Sequence, residues 1–398
     1  MARFMFTWEL GQGLGHLVRY LPLVRALVGR GDEVWFLVKD AQQAAKVFAG
    51  LSINIEQIKP GSTPPERQLT TLNSYPEILH NFGFYAADEL EKQVAAWVAR
   101  FNKIRPYVLI IDHSPTAMLA NRVSKIPSIA TGTGFTVPPL RAPMRPLRYW
   151  QLREPAELLR SERKVLDISN AVLRRFDGRA LDTLSDLISC DAAWLLSFPE
   201  LDHYGIRDGA KYYGNFPVQE HGRAPRWKDH DGPKVFAYLT ASRVPGEFAS
   251  AIRDMSANLL LFAPNLVPGE EERFVASRTE RSRFPLDLEL VARQCDAAVT
   301  NGGLNTVSAF FRGGTPQLVL ADNLECYMVG KRLEITGAGL LNFASSERAL
   351  SLKLRAVLTD RSISRNASRF AIKYQSANSH TQLADMLADI AALAVSLS

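Results

Sequence analysis

The feature that most constrains the fold is segment 295–339, which reads CDAAVTNGGLNTVSAFFRGGTPQLVLADNLECYMVGKRLEITGAG. A short apolar strand leads into the glycine turn at 301–303, which is followed by a helix and, after Pro316, by a second apolar strand. We expect Asn305 or Thr306 to start the helix, because each side chain can accept a hydrogen bond from a first-turn amide. Glycines allow close backbone approach, and the unpaired amides at a helix start attract phosphate. The segment predicts a strand–turn–helix–strand unit with an anion site, although such a turn can also serve α/β packing alone.

From Asn301 to Gly339 this segment resembles the donor-nucleotide motif of the GT-B glycosyltransferases that use nucleotide sugars, the group that includes the macrolide and flavonoid enzymes. The family motif has two glycines, a Ser or Thr, a small-residue helix, a Gly-x-Pro stop, an Asp-Gln pair and a closing Gly-Ala-Gly. The residues in register are Gly302, Gly303, Asn305, Thr306, Gly314, Pro316, Gly337, Ala338 and Gly339. The resemblance implies that the glycine turn and Thr306 hold the donor diphosphate.

Four positions depart from the family motif. Asn301 stands where the family usually has a phosphate-contacting His, and Ala309 stands where many members have a ribose-binding Glu. Glu325 and Cys326 replace the Asp-Gln pair that holds sugar hydroxyls. Asn can still donate to a phosphate oxygen and Glu can still accept from a hydroxyl, whereas Ala and Cys offer little. Ser242, in a polar turn after an apolar strand, is a further candidate donor contact.

The chain opens with a similar unit. Residues 3–8 predict a buried strand, the glycine-rich turn GQGLGH follows at 11–16, and helical spacing leads to an apolar strand at 34–38. This order predicts a parallel sheet. A dinucleotide fingerprint needs its third glycine one position later, where His16 stands, but Asp40 at the end of the second strand keeps an NAD dehydrogenase among the alternatives.

The same turn is similar to the N-terminal loop of the GT-B family, in which a Gly-His pair opens the first helix and the His is the acceptor base. The resemblance implies that His16 is this base and that Gly13 and Gly15 belong to the acceptor loop. A capping or surface role is the alternative for a His at a helix start.

Residues 108–111 predict a strand that ends at Asp112. Functional residues gather at the carboxyl ends of strands in open α/β sheets, so Asp112 and the loop after the first strand are expected at one edge. In the family an Asp near this position orients the His and stabilises its protonated form. The resemblance therefore implies a His16–Asp112 pair, and a helix cap before Ser114-Pro115 is the alternative for Asp112.

Apolar spacing predicts further helices at 76–103, 345–372 and 380–396. Two helical patterns cover roughly 155–190. Residues 192–196 predict the last strand of the first domain.

Composition narrows the class of protein. The chain has 398 residues, enough for two domains, and no apolar run approaches the ~18–20 residues of a membrane span. The start is not a secretory signal, and three scattered cysteines, Cys190, Cys295 and Cys326, predict a reducing, cytoplasmic location without a disulfide framework or zinc site. Asp229-His230-Asp231 superficially matches the metal motif of the other large glycosyltransferase fold. It lies in a polar linker, so we expect solvated side chains.

The net charge is +6, and residues 141–179 contain ten Lys/Arg against five Asp/Glu, an excess of +5. Such a patch can indicate nucleic acid, an anionic membrane or an acidic substrate, or it can be a solvated helix face. No nucleic-acid signature accompanies it, so no nucleic-acid partner is expected, whereas peripheral membrane contact through 138–179 stays open. In the family, insertions such as the Arg- and Pro-rich stretch 138–155 shape the acceptor site.

The predicted fold class is α/β, with two Rossmann-like domains that face a cleft and a C-terminal helix that crosses back to the first domain. The predicted parts are an acceptor domain at 1–211, a linker at 212–234, a nucleotide-sugar domain at 235–375 and the C-terminal helix at 376–398. The resemblance implies an inverting glycosyltransferase that needs neither metal nor cofactor, with a UDP- or dTDP-sugar as co-substrate and a small-molecule or lipid-linked hydroxyl acceptor. The alternatives are a nucleotide-sugar-binding protein without turnover and a nucleotide-sugar 2-epimerase of the same fold.

Overall fold

The fold is given by a computed structural model, which describes the chain except for residues 12, 59–64, 66–67, 216–221, 240–245, 267–273, 275–277, 343–346 and 396–398. The chain forms two compact units. Unit 1 comprises Met1–Leu196, Arg207–Tyr213 and His380–Ser398, and unit 2 comprises Ser197–Ile206 and Gly214–Ser379.

The strands of unit 1 are β1 (Arg3–Trp8), β2 (Glu33–Val38), β3 (Asn54–Gln57), β4 (Val108–Asp112), β5 (Ser128–Gly132) and β6 (Ala192–Leu195). They form a parallel sheet in the order β3-β2-β1-β4-β5-β6. The strand order reverses between β1 and β4, where Trp8 pairs with Asp112. Ligands bind at this position in open α/β sheets.

The helices of unit 1 are α1 (Gly15–Val18), α2 (Leu21–Gly29), α3 (Ala41–Val47), α4 (Tyr75–Asn81), α5 (Ala87–Ile104), α6 (Pro115–Ser124), α7 (Pro155–Arg175), α8 (Ser185–Ile188) and the C-terminal α15 (Ser379–Val395). The predicted single helix at 76–103 is wrong, because the chain turns at Gly83, where φ is 103°. Such a backbone angle suits glycine and ends a helix.

The strands of unit 2 are β7 (Lys234–Tyr238), β8 (Asn258–Phe262), β9 (Thr279–Ser282), β10 (Ala297–Thr300), β11 (Gln317–Leu320) and β12 (Gly339–Asn342). They form a second parallel sheet in the order β12-β11-β10-β7-β8-β9. Its order reverses between β7 and β10, so the loop after β10 leaves the sheet at the equivalent edge position. Within the described residues, both six-stranded sheets have Rossmann-like order, which confirms the predicted α/β fold class.

The helices of unit 2 are α9 (Gly246–Asp254), α10 (Leu288–Gln294), α11 (Leu304–Gly313), α12 (Leu324–Thr336), α13 (Glu347–Thr359) and α14 (Arg361–Lys373), together with a short 3₁₀ helix at Pro199–Leu201. The predicted helix at 345–372 is two helices, because the Asp360 side chain accepts from the amide of Ser362 and starts a new one. The helix after the glycine turn begins at Leu304 with Gly303 as its N-cap. Neither Asn305 nor Thr306 caps it, and both lie in its first turn.

The C-terminal helix α15 packs within unit 1. Asp389 on this helix accepts hydrogen bonds from the indole of Trp194 at 2.9 Å, from the hydroxyl of Tyr213 and from the ammonium group of Lys211. One carboxylate therefore holds the helix to β6 and to the segment Arg207–Tyr213.

Segment Ser197–Ile206 belongs to unit 2, although it precedes the linker expected at 212–234. Phe198 and Leu201 are buried in the same cluster as Phe311 of α11. Phe198 also lies 4.4 Å, centroid to centroid, from the ring of Tyr374. Burial of these apolar side chains fixes the segment to the second core.

Candidate functional site

The loop between β1 and α1 brings His16 against the sheet edge. Gly11 and Gly13 have φ angles of 85° and 91°, in the region that favours glycine. A Cβ atom on Gly11 would lie 2.6 Å from Nε2 of His16, so only glycine leaves room for the imidazole. A Cβ on Gly13 would meet nothing within 4 Å, so its backbone angle alone favours glycine there. Gly15 begins α1, and its carbonyl accepts a hydrogen bond from the guanidinium of Arg19.

His16 and Asp112 form a hydrogen-bonded pair at the edge where the strand order of unit 1 reverses. Nδ1 of His16 lies 3.0 Å from Oδ1 of Asp112, and the two side chains are only 11% and 3% exposed. Tyr20 donates its hydroxyl to Oδ2 of Asp112 at 2.9 Å. An ionised carboxylate only accepts, so Nδ1 carries the hydrogen and Nε2 of the neutral ring keeps a lone pair. That arrangement suits a general base.

The environment of Asp112 keeps it ionised despite its burial. Burial disfavours the charged form, but the positive charges of protonated His16 and of Arg19 and the hydrogen bonds from His16 and Tyr20 outweigh it, and the pKa of Asp112 is lowered below its ordinary 3.8. The alternative role as a helix cap is not observed. The N-cap of α6 is Ser114, and the carboxylate oxygens of Asp112 bond to His16 and Tyr20 instead.

Aromatic packing restrains the His16 ring. The Trp8 ring stacks on it with centroids 5.1 Å apart and an interplanar angle of 15°. Trp8 is held in turn by a hydrogen bond of 2.7 Å from its indole to the carbonyl of Leu10, and Nζ of Lys39 lies 5.4 Å from its ring centroid. His16 is therefore a packed, oriented side chain rather than a surface residue.

His113, directly after Asp112, is a buried histidine with an uncommon backbone conformation. It has a left-handed backbone with φ of 42°, and neither ring nitrogen has a hydrogen-bond partner among the described residues. Burial and the positive charge that nearby His16 carries when protonated lower the pKa of His113 to about 3, so its ring is neutral. The His113 centroid lies 6.5 Å from that of His16. A neutral ring places no second positive charge beside His16 when His16 takes up a proton.

In unit 2, the turn after β10 packs beneath α12. Gly302 has φ of 90°, and its amide donates to Oγ1 of Thr300 at 3.2 Å. A Cβ on Gly302 would lie 2.7 Å from the carbonyl oxygen of Cys326 and 2.8 Å from Cγ1 of Val319, so the backbone approaches its neighbours closely. A Cβ on Gly303 would meet nothing within 4 Å. The start of α11 thus has space on the Gly303 side, where first-turn amides can meet an anion.

Three predicted donor residues surround this turn. Asn301 is 8% exposed, and its amide nitrogen lies 3.3 Å from Oδ2 of Asp322. Asn305 accepts a hydrogen bond of 2.7 Å from the side-chain amide of Asn215. Thr306 is 8% exposed in the first turn of α11, and its hydroxyl bonds to none of the residues that the structure describes. Asn301 and Thr306 therefore lie on either side of the glycine turn. The side-chain oxygen of Asn305 already accepts a hydrogen bond from Asn215.

The Glu325-Cys326 position lies at the start of α12. Oε1 of Glu325 is 3.8 Å from Nε2 of His203, a fully buried residue of segment Ser197–Ile206. Burial raises the pKa of the Cys326 thiol to about 12, so it stays a weakly bonding thiol. Ala309 is 2% exposed inside α11, so its position faces the core.

Among the described residues, the others that the sequence singled out do not join the two sites described above. Ser242 falls outside the described residues, so its donor role stays a prediction. Asp229 and Asp231 are exposed, and the described part of the chain contains no group of three or more His, Cys, Asp and Glu side chains suited to a metal ion. Asp40, the acid of the dinucleotide alternative, caps α3 by accepting from the amide of Gln43 at 2.9 Å. Among the described helices, none combines the length and the hydropathy that a bilayer-spanning helix requires.

Several contacts of the predicted site residues could not be read from the sequence. Tyr20 follows the apolar spacing of its helix and gives no sign of its bond to Asp112, 92 residues away. His203 lies in a segment assigned to the other domain. Gly11 did have a signal, because it opens the glycine-rich turn that contains His16.

Comparison with known proteins gives the fold and no closer relation. No protein-family model and no curated protein matches the sequence. Among solved structures, glycosyltransferase VinC in complex with dTDP matches with a TM-score of 0.67 and 16% identity over 98% of this chain and 99% of that one. The kitacinnamycin glycosyltransferase matches with a TM-score of 0.72 and 15% identity over 97% and 98% of the two chains.

CalG4, a calicheamicin glycosyltransferase, matches with a TM-score of 0.69 and 14% identity over 98% of each chain. Identities this low establish a shared fold and not a shared substrate. The likeness extends over almost the whole length of each of these three proteins. The chain therefore has the GT-B fold of these glycosyltransferases, as its glycine motif near residue 302 predicted.

Proposed function

We propose that the chain is a glycosyltransferase that moves a sugar from a UDP- or dTDP-sugar to an acceptor hydroxyl. The observation that carries the proposal is the His16–Asp112 pair at the carboxyl ends of β1 and β4. The GT-B fold and the glycine turn of unit 2 support it. VinC, a protein of similar fold, is a glycosyltransferase whose structure contains dTDP.

His16 would act as the acceptor base. Asp112 accepts from Nδ1–H, which leaves Nε2 to take the proton of the acceptor hydroxyl. The acceptor oxygen then forms a bond to the anomeric carbon, and the bond from that carbon to the diphosphate oxygen breaks with its electron pair. Attack from the face opposite the leaving group inverts the anomeric centre. Asp112 stabilises the imidazolium that results.

The leaving diphosphate would be held by unit 2. The Gly303 amide, the Thr306 hydroxyl and the start of the ten-residue helix α11 offer donors and a favourable dipole for negative charge. The Gly302 amide, which donates to Oγ1 of Thr300 in this structure, would turn to the phosphate when the donor binds. Asn301 can add a side-chain donor in place of the family His. These groups supply the charge stabilisation of this step, so we expect turnover without a divalent metal.

Glu325 would accept hydrogen bonds from sugar hydroxyls. It is 44% exposed and lies within 3.8 Å of His203, which helps to orient it. Cys326 adds little beside it. The ribose would find no carboxylate at buried Ala309, so its contacts must differ from those of most family members.

The acceptor would be a small molecule or a lipid-linked molecule. Residues 138–179 combine a charge excess of +5 in 141–179 with a fully exposed Leu152. Basic and apolar side chains together suit an anionic membrane surface that presents a lipid-linked acceptor. The three cysteines are unpaired, which agrees with a reducing, cytoplasmic location.

Thermal-shift screening with UDP-, dTDP- and GDP-sugars tests the proposal. A ligand at 100 times its dissociation constant adds ~2.7 kcal/mol of stability, so a UDP- or dTDP-sugar should raise the melting temperature clearly. The Thr306→Val variant serves as the control and should respond less. The proposal also requires release of nucleoside diphosphate once an acceptor is added.

Absence of a shift with every nucleotide sugar would overturn the proposal. Binding with neither turnover nor slow hydrolysis would favour a nucleotide-sugar-binding protein. The departures from the family motif at Asn301, Ala309 and Cys326 are the reason to test this alternative. A change in nicotinamide absorbance would favour the dehydrogenase.

A further inference from the structure

Glu9, the first residue after β1, is a buried carboxyl that the proposed reaction does not use. It is 5% exposed. Its Oε1 accepts from the indole nitrogen of Trp97 at 2.7 Å and from the hydroxyl of Thr116, and its Oε2 accepts from the amide of Thr116 at 3.0 Å. One side chain thus joins the exit of β1 to helix α5 and to the first turn of helix α6.

These bonds connect the two loops that flank the catalytic pair. The loop after β1 leads to His16 at the start of α1, and the loop between β4 and α6 begins directly after Asp112. The backbone adds a second link one residue further on, because the amide of Leu10 donates to the carbonyl of His113 at 3.0 Å. Glu9 and Leu10 therefore connect the loop after β1 to the segment after β4 by hydrogen bonds, next to His16 and Asp112.

The strand geometry explains how Glu9 can act on His16 without contacting it. Successive side chains of an extended chain point to opposite faces. The Trp8 ring stacks on His16, whereas the Glu9 carboxyl bonds to Trp97 and Thr116. Any shift of the backbone at Glu9 also moves Trp8, whose ring stacks on the imidazole of His16.

We infer that Glu9 is a positioning residue, which holds the β1 and β4 loops together so that His16 stays within hydrogen-bond distance of Asp112. It contacts neither acceptor nor donor. The inference rests on the proposed function for its effect on turnover, but its effect on the His16 ring can be measured without any substrate.

The test uses Glu9→Gln in the full-length protein. Gln keeps the size of Glu9 but places an amide NH₂ group against one of the donors from Trp97 or Thr116. We expect kcat for transfer to fall about ten- to hundredfold, because a displaced catalytic group loses rate on this scale. The dissociation constant of the nucleoside diphosphate, bound by unit 2, should stay unchanged. The ¹⁵N chemical shifts of the His16 ring should move towards the other tautomer or a mixture.

Asp389→Asn is the matched control. Asp389 is a carboxyl of the same unit that also accepts from a Trp indole, that of Trp194 at 2.9 Å, and from the hydroxyl of Tyr213, and it belongs to the C-terminal helix rather than to the proposed site. This acid-to-amide substitution should lower the melting temperature but leave kcat and the His16 shifts as in the wild type. An equal loss of kcat in both variants would overturn the inference, as would wild-type kcat and unchanged His16 shifts in Glu9→Gln.

Two milder variants cover the outcome in which Glu9→Gln does not fold. Trp97→Phe and Thr116→Val each remove one donor to Glu9 and keep the carboxyl. Each should reduce kcat less than Glu9→Gln and displace the His16 shifts in the same direction, and unchanged shifts in both would overturn the inference. If the wild type transfers no sugar from any donor, the proposed function fails, and the His16 shifts still decide the role of Glu9.

Discussion

Nδ1 of His16 lies 3.0 Å from Oδ1 of Asp112, although 96 positions separate the two residues in the sequence. The parallel pairing of β1 with β4 produces this distance, because it places Trp8 beside Asp112 and lets both loops leave at one edge. The second carboxylate oxygen of Asp112 is taken by Tyr20. The imidazole therefore has a fixed orientation and a defined hydrogen on Nδ1.

Asp112→Asn should lower turnover, but less than loss of His16. The amide keeps one accepting oxygen and introduces an NH₂ group that must face either His16 or the Tyr20 hydroxyl, which disturbs the tautomer of the base. Donor affinity should not change. Tyr20→Phe leaves the His16 bond in place and should have a smaller effect on kcat. A strong fall in melting temperature with wild-type specific activity would argue for a purely structural Asp112.

Gly302→Ala and Gly303→Ala should differ sharply in stability. Gly302 has φ of 90° and no room for a methyl group, so alanine should lower the free energy of unfolding by about 1–3 kcal/mol. Gly303 has φ of −60° and open space, so alanine should fold as well as the wild type. Urea unfolding measures the free energy of unfolding of both variants and of the wild type.

The Gly303→Ala variant also tests the donor site, because its methyl group would occupy the space proposed for the diphosphate. We expect calorimetry to show weaker binding of nucleoside diphosphate by this stable protein. Wild-type affinity would mean that the phosphate lies elsewhere.

Thr306→Val should raise the dissociation constant of the nucleoside diphosphate by roughly ten- to hundredfold, since a hydrogen bond to a charged partner contributes about 1.5–3 kcal/mol. Valine keeps the β-branched shape and removes only the hydroxyl. The matched control is Thr315→Val, because the Thr315 hydroxyl donates to the carbonyl of Ala292 at 2.9 Å within the core. That variant should lose stability and keep its affinity. Equal affinities of wild type and Thr306→Val would remove the phosphate from this helix start.

Glu9 should make the stability of the protein depend on pH. Burial raises the pKa of Glu9 from 4.5 to about 7, against the hydrogen bonds from Trp97, Thr116 and Ala117. Arg100, which pairs with Glu56 at 2.7 Å, lines the same small cavity as Glu9. A raised pKa means that the folded state prefers the neutral acid, so this contribution is complete below pH 4.5 and is lost as the pH rises through 7.

Comparison with Glu9→Gln isolates that contribution. Between pH 4.5 and 8, the free energy of unfolding of the wild type should fall relative to the variant by roughly 3 kcal/mol, which is the energy of a shift of this size. Chemical unfolding at a series of pH values measures the difference. Parallel curves for the two proteins would show that the carboxyl titrates normally.

Local sequence patterns were sufficient to predict the strands at 3–8, 34–38 and 108–111 and the glycine turn at 301–303, whereas α3 and β3 gave no clear pattern. The resemblance of two short motifs added the His16–Asp112 pair, because both residues follow neighbouring strands. The patterns failed where backbone angles decide, as at Gly83, and where a helix can start at any of several residues, as at Leu304. Periodicity reports which face is buried and says little about where a turn begins.

Long-range polar contacts were beyond the sequence for a different reason. Glu9 bonds to Thr116 across 107 positions, and no local pattern encodes that distance. His203 approaches Glu325 because the segment Ser197–Ile206 crosses into the second core, held there by buried Phe198. Such contacts follow from the packed fold, which determines where each loop passes.

The central claim is that His16 is the base of a nucleotide-sugar-dependent transfer, and His16→Ala measured against the wild type tests it most directly. Donor affinity should be determined by calorimetry and release of nucleoside diphosphate should be followed in the presence of acceptor. We predict that the variant binds the donor with nearly the wild-type dissociation constant and that its turnover falls by about 10²–10⁴-fold. Turnover close to that of the wild type would contradict the account.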